Sequence, residues 1–527
     1  MNPPHRRTVV LLFPFFLYLL HALLFGDWIV DDAGISFVYA RNLAAGQGLV
    51  SQPGVEPVEG YSNPLWVFLL APFFPVGLFD PLLTPKLLSI ALVGVAFLVL
   101  HRSLAKLDEA GWTVSWVALA LTALNSSFVI WTVSGLENPL YVVLICALFG
   151  LIVRESPPPL LAGAVAAGIA LTRPDGLLYV ALYPLLSLFS GERPVRIGAA
   201  AGRIARYAAV FLLLFGGHLG FRILYFGDLY PNTYYAKGGE TGRLALELLT
   251  FQPYMRRHLG GLLESASGLP GWAVLVALAA AVVFLAVRRR LRRVDAVVLG
   301  FAGCSAVVYL LLPGDWMGEY RFATPFFPFF YAGIALAAVA VARELIPDPA
   351  WRQRLGWLAA GSALVLALTF FLPRSRAFEA SPTLAFGTVV ERNGVRINRY
   401  ADALGIAEGS FLLPDVGGAL WASRLRIYDL GGLTDRTVTR TLWGDRAAFH
   451  DYVFAETRPT FILTHGVWTT VAALDGDPRL RRDYLPLSPQ GPAARQGRKE
   501  RLFVRREAVV GKEGAVEAIR TELAAER

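Results

Sequence analysis

Charge and cysteine are both scarce in this chain. Only 17 % of its 527 residues are Asp, Glu, Lys or Arg, against 55 % hydrophobic, and the mean hydropathy is +0.50. Soluble domains carry about a quarter of their residues charged, so water is not the solvent for most of this sequence. Its two cysteines, Cys146 and Cys304, each lie inside a long apolar run, where a free thiol behaves as a small hydrophobe. A disulfide framework, a zinc ribbon and thiol chemistry are thereby excluded. The charge that is present is unbalanced, with a net of +9, which would suit a nucleic-acid binder. Here, however, the basic residues come in short clusters between apolar runs, the pattern that the positive-inside rule produces, and nucleic acid is excluded as a partner.

Apolar windows of bilayer length predict about eleven transmembrane helices, at 8–28, 84–103, 112–131, 137–153, 158–172, 176–190, 204–226, 268–287, 295–312, 323–343 and 355–372. The first apolar run, Val9 to Val30, follows Arg6 and Arg7 and lacks a small-x-small cleavage site, so it is read as an uncleaved membrane helix. Under strict alternation the basic clusters share one side: Arg6 and Arg7; Arg102 and Lys106; Arg154; Arg193, Arg196, Arg203 and Arg206; Arg288 to Arg293; Arg343, Arg352 and Arg354. That side is the cytoplasm, and it holds the N-terminus.

The opposite loops carry Asp31-Asp32, VEGYSNP (58–64), SGLEN (134–138), TRPDG (172–176), GDLYPNTYYAK (227–237) and GDWMGEYRF (314–322). So much mixed polarity in so apolar a chain predicts a shared extracytoplasmic site built from loops on a rigid scaffold. Ile35, Val38, Tyr39 and Leu43 have the spacing of a helix lying in the membrane interface. Pro64 to Phe79 is interrupted by prolines and a glycine and reads as a re-entrant or interfacial piece.

Residues 373–527 change character. FLLPD (411–415), RIYDL (426–430), TFILT (460–464) and RLFVR (501–505) predict short strands, with helices near 391–405, 445–457 and 512–526. The expected architecture is an α-helical multi-pass membrane domain, 1–372, followed by a small extracytoplasmic α/β domain, 373–527. Gly417-Gly418 and Gly431-Gly432 mark tight turns at strand ends rather than a phosphate loop.

Asp31 and Asp32 follow the first span directly, at the depth where the head group of a lipid-linked substrate would lie. Adjacent carboxylates repel, which raises one pKa and leaves the other group to act as a base, or lets the pair hold a cation. The alternative role is an N-cap, for which one Asp suffices.

DDAGISFVYARNLAAGQGLV and VEGYSNPLW resemble the opening of bacterial polyprenyl-phosphate-sugar-dependent glycosyltransferases of the GT-C superfamily, most of all the mycobacterial terminal arabinofuranosyltransferase group. SGLEN, TRPDG, YPNTYYAKGG, GDWMGEYRF and DVGGALWASRLRIYDLGGLTDR are similar to later blocks of that group in the same order, so the resemblance covers most of the chain. It implies transfer of one sugar, such as arabinofuranose or mannose, from a polyprenyl phosphate to a hydroxyl of a cell-envelope glycan, lipid or protein outside the plasma membrane. The family's catalytic acidic pair maps onto Asp31 and Asp32. Gly34 stands where the family has an aromatic residue, and Val38 where it has an Arg, which leaves one expected cationic contact unfilled.

Polyprenyl phosphate leaves without a general acid, but the charge growing on it needs Arg, Lys or a divalent ion. Arg321, Lys237 and Arg173 are the outer-side cations; Arg321 is alternatively a snorkelling anchor, and Arg173 a partner of Asp175. Asn63, Asn138, Asn232 and Asp315 offer polar contacts to sugar or acceptor. Tyr61, Trp66, Tyr234 and Trp316 offer stacking faces or interface belts. Glu59 and Glu137 would join the Asp pair around a metal, although no ligand spacing requires a cofactor. The rival reading is a transporter or flippase of lipid-linked sugars, which predicts internal repeats and midplane charges that this sequence does not show. A scaffold acting through its α/β tail would leave the outer polar loops without a purpose.

Overall fold

The computed structural model describes residues 4–106, 110–188, 197–237, 253–288, 292–312, 314–489 and 499–525. Arg193, Arg196 and residues 289–291 of the basic clusters lie outside the described residues. The chain forms two compact units, neither continuous in sequence. The first comprises 1–28, 82–219 and 240–383; the second comprises 29–81, 220–239 and 384–527. The first outer segment, with the acidic pair, therefore belongs with the tail.

The first unit is helical. Among the described residues of the chain, four helices are long and apolar enough to cross a membrane: Leu83–Ala105, Gly198–Phe226, Phe326–Leu345 and Pro349–Ala380. Two bent pairs raise the number to six: Gly111–Leu124 with Ser126–Thr132, at 72°, and Tyr254–Ser267 with Gly271–Val287, at 81°. The first bend falls inside the window 112–131 and the second at the start of 268–287, which is otherwise filled by Gly271–Val287; both have local causes. At the first, the Asn125 side chain accepts from the Phe128 amide at 2.8 Å and donates to Ser265 O and the Tyr331 hydroxyl, each at 3.1 Å. It thus caps the new helix where the old one stops. At the second, Gly268 adopts a positive φ and Pro270 precedes the next helix. Shorter apolar helices run over Leu12–Leu23, Asn138–Ile152, Pro159–Thr172 and Val294–Leu310, whereas the window 176–190 holds short helical pieces, Leu177–Val180 and Leu182–Leu188.

In the second unit the helix Asp31–Ala44 differs from the amphipathic surface element expected. It is buried on every side from Ala33 to Ala40 and packs on the helices Pro64–Leu70, Phe386–Val389 and Gly417–Ala422. Small residues, Ala33, Gly34, Ser36 and Ala40, let these neighbours approach it closely. Pro64–Phe73 is a short apolar helix of roughly 15 Å, half the thickness of a bilayer core, in keeping with a re-entrant or interfacial piece.

The tail builds a five-stranded sheet in the order β2-β1-β3-β5-β4: β1 Ser410–Leu413, β2 Arg426–Asp429, β3 Phe461–Thr464, β4 Tyr484–Pro486 and β5 Arg501–Arg505. β1 pairs in parallel with β2 and β3, while β5 runs antiparallel to β3 and β4. Leu412, Ile462 and Phe503 contribute one sheet face to a core closed by Val438, Phe449, Val453 and Phe454 from the helices.

Candidate active site

Asp31 opens its helix, yet it caps a different one. Val30, not Asp31, is the N-cap residue of Asp31–Ala44. The Asp31 carboxylate accepts instead from the amides of Gly417, at 3.1 Å to Oδ2, and Gly418, at 2.7 Å to Oδ1. These are the first two residues of the helix Gly417–Ala422, whose leading amides have no partner within the helix. The two glycines are required by space. A Cβ on Gly417 would land on the main-chain oxygen of Asp31, and one on Gly418 would land on the amide of Val390 and within 2.9 Å of Phe386 O. The main chain is fixed alongside: Asp31 N donates to Leu384 O at 3.0 Å and Phe386 N to Ile29 O at 2.7 Å.

Burial pushes the Asp31 carboxyl well above the usual carboxylate range; the Gly418 and Gly417 bonds oppose this, and the charges of Asp32 and Asp415 add to it. Asp32 is only partly buried. The pair is therefore asymmetric, with one carboxylate committed to backbone amides and its neighbour reaching the surface of the unit.

Asp415 and His465 were assigned no role from the sequence. They sit just beyond the carboxyl ends of β1 and β3, with His465 Nε2 2.6 Å from Asp415 Oδ2 and side chains 29 % and 19 % exposed. Burial lowers the His465 pKa, but the hydrogen bond and charge of Asp415 outweigh it and hold the imidazole above its ordinary value. Each alone carries a weak sequence signal, His465 directly after β3 and Asp415 one proline beyond β1, where α/β sheets place functional groups, but their meeting carries none.

The other expected residues of this unit have defined partners. Glu59 is buried in an ion pair with Arg222, Nε to Oε2 2.5 Å. Asn63 exchanges hydrogen bonds with Ser36 at 3.1 and 3.2 Å. Asn232 donates to the carbonyls of Gly432 and Leu433 at 2.7 and 3.0 Å. That loop is shaped from below by Asp429, which accepts from the amides of Gly431 and Thr434, each at 2.8 Å. Tyr61 is buried against Tyr39 and Phe226, Trp66 is fully buried, and the Tyr234 ring lies tilted against that of Tyr230. Lys237 is exposed at the end of the helix Asn232–Ala236.

In the first unit Arg173 pairs with Glu137 at 2.7 Å and Asp175 at 3.0 Å. Arg321 pairs with Asp315 at 2.8 Å and lies over the rings of Trp131 and Phe322. Asn138 donates to Arg321 O at 3.0 Å and Thr324 Oγ1 at 2.8 Å. Trp316 is 68 % exposed. Among the described residues no three His, Cys, Asp or Glu side chains cluster closely enough to hold a metal ion.

No family model and no curated protein matches the chain. Solved structures do. The Archaeoglobus fulgidus oligosaccharyltransferase in complex with zinc and sulfate aligns over 92 % of this chain and 72 % of its own, with a TM-score of 0.56 and 13 % identity. The oligosaccharyltransferase AglB of the same organism, with an inhibitory peptide and a dolichol-phosphate, gives a TM-score of 0.54 at 11 % identity over 92 % and 73 %. ArnT from Cupriavidus metallidurans, bound to undecaprenyl phosphate, aligns over 95 % of this chain and 98 % of its own, with a TM-score of 0.56 and 13 % identity. The chain thus shares the fold of these oligosaccharyltransferase and ArnT structures.

Proposed function

We propose that this chain is a membrane glycosyltransferase that moves a single sugar, a pentose or a hexose, from a polyprenyl-phosphate donor to a hydroxyl of a cell-envelope glycan, lipid or protein at the outer face of the plasma membrane. The observation that carries the reading is the asymmetric acidic pair, supported by a fold shared with proteins solved with polyprenyl phosphates and by the ordered blocks resembling arabinofuranosyltransferases. About eleven spans, a cytoplasmic N-terminus and an outer α/β tail belong to the same proposal.

Asp31 is the positioning member. Its oxygens are taken by Gly417 and Gly418, and it fixes the first turn that carries Asp32. Asp32 is the base: as the acceptor oxygen attacks the anomeric carbon, the carbon–oxygen bond to phosphate breaks, the acceptor proton passes to Asp32, and polyprenyl phosphate departs with the electron pair. Lys237, Arg321 and Arg173 remain the proposed phosphate contacts, and a divalent cation an alternative source of that charge.

The test is sugar transfer from labelled polyprenyl-phosphate donors in membranes carrying wild type, Asp32→Asn or Asp31→Asn at matched expression. Asp32→Asn should lose roughly 10²–10⁴-fold in rate, whereas Asp31→Asn should lose stability together with rate. Equal activity in all three would overturn the acidic-pair mechanism. No transfer by wild type from any polyprenyl donor would favour the flippase.

A further inference from the structure

The sheet has a topological switch point. The chain leaves β1 for β2 on one side, then returns past β1 to form β3 on the other, all three strands being parallel. In sheets of this kind the crevice outside the carboxyl ends, where the strand order reverses, receives the ligand. In a nucleotide-binding domain the first helix after β1 would hold a phosphate there. Here that role is closed, because the amides of Gly417 and Gly418 are taken by Asp31. What remains is Asp415 after β1, Gly431 after β2 and His465 after β3, with Asp415 and His465 joined at 2.6 Å. The ring of the partly buried Trp468 lies alongside Gly431, where a Cβ would come within 3.7 Å of it.

We propose that this crevice is the acceptor subsite and takes a neutral sugar ring, with Asp415 and His465 bonding its hydroxyls and Trp468 meeting its apolar face. The inference rests on the glycosyltransferase reading and says where that enzyme holds its acceptor. Charge decides the ligand class. His465 is already bonded to Asp415 at 2.6 Å and Glu500 is paired with Arg396 at 3.2 Å, so a phosphate would meet the Asp415 carboxylate with the Nε2 of the imidazole already committed to it. A hydroxyl-bearing ring meets no such repulsion. Asp415 still has acceptor capacity, since a carboxylate offers roughly four lone-pair sites and its bond to His465 uses one. Position agrees: Gly417, two residues beyond Asp415, holds Asp31, so the subsite lies beside the acidic pair whose Asp32 removes the acceptor's proton.

The experiment uses the full chain in nanodiscs. Saturation-transfer NMR with methyl α-D-mannopyranoside and methyl α-D-arabinofuranoside as probes, and inorganic phosphate as competitor, is run on wild type, Trp468→Ala and His465→Gln, with melting temperatures alongside. Ring protons of at least one glycoside should receive saturation from wild type, lose it in Trp468→Ala, and keep it in the presence of phosphate. In transfer assays both variants should raise the acceptor KM tenfold or more and leave the donor KM unchanged. Absence of saturation in wild type, undiminished saturation in both variants, displacement by phosphate, or a rise confined to the donor KM would each overturn the subsite. Because the NMR arm needs no turnover, glycoside binding without transfer from any donor would sink the catalytic reading alone.

Discussion

At the residue scale the deciding feature is that adjacent aspartates perform different work. Asparagine at 31 cannot accept from both Gly417 and Gly418, because its NH₂ must face one of the two donors, and the cost of such an unmet bond is about 1–3 kcal/mol. Gly417→Ala should be worse: its methyl overlaps the Asp31 backbone, and overpacking of this kind costs about 1–3 kcal/mol or more, read as a lower melting temperature and lost transfer at matched expression. Asp429 gives a pH signature. Burial, opposed by the Thr434 and Gly431 bonds, lifts its carboxyl from 3.8 to about 7. The folded state therefore binds that proton more tightly than the unfolded chain, and the stabilisation is complete below about pH 4 and lost as pH rises to about 7. The melting temperature should fall between pH 5 and pH 8, with a shallower fall in Asp429→Asn, because Asp31, Glu59 and Asp435, whose carboxyls burial also raises, contribute in the same direction. Asp31 and Asp32 stood out in the sequence because they follow an apolar run. Asp415 and His465 did not, since nothing local announces that residues fifty positions apart will meet.

At the scale of elements, periodicity was a good guide wherever a segment packs on its sequence neighbours. Four strands appear within a residue or two of their expected places. β4 was missed because three residues containing Pro486 carry too little pattern to read. The helix Asp31–Ala44 was recognised as a helix but not as a buried one; apolar spacing cannot report that a distant loop will cover the opposite face. Gly34 shows this plainly. A Cβ there would lie 2.7 Å from Gly417 C and 2.7 Å from the Phe386 ring, so the aromatic residue that the resemblance leads one to expect has no room here. The loop 431–434 is an element held from outside by Asn232. Asn232→Asp would set a carboxylate against two carbonyl oxygens, and a loss of about 1–3 kcal/mol, seen as a lower melting temperature, is expected. A wild-type melting temperature in that variant would mean that Asp429 and Thr439 hold the loop without Asn232.

At the scale of the whole molecule, the sequence divides at the end of the last apolar run, whereas the compact units divide after Trp28, Pro81, Leu219, Gly239 and Thr383. Composition tracks lipid contact, and it has no means of showing that 29–81 and 220–239 fold with the tail. The proposed topology is open to direct test in a chain whose Cys146 and Cys304 are replaced. Trp316→Cys, at a position 68 % exposed, should react with an impermeant maleimide on intact cells, and Glu155→Cys only after permeabilisation. The reverse pattern would invert the orientation drawn from the basic clusters.

The bond between Asp31 and Gly418 also spans 387 positions of the chain. A ribosome adding about 5–20 residues per second needs roughly 20–80 s to make the second partner after the first. Throughout that interval the acidic pair has already been synthesised, but the helix that holds it in register does not yet exist. The growing chain is thus inactive by construction, and chains truncated before residue 418 should be inactive and subject to early degradation, however well their helices insert.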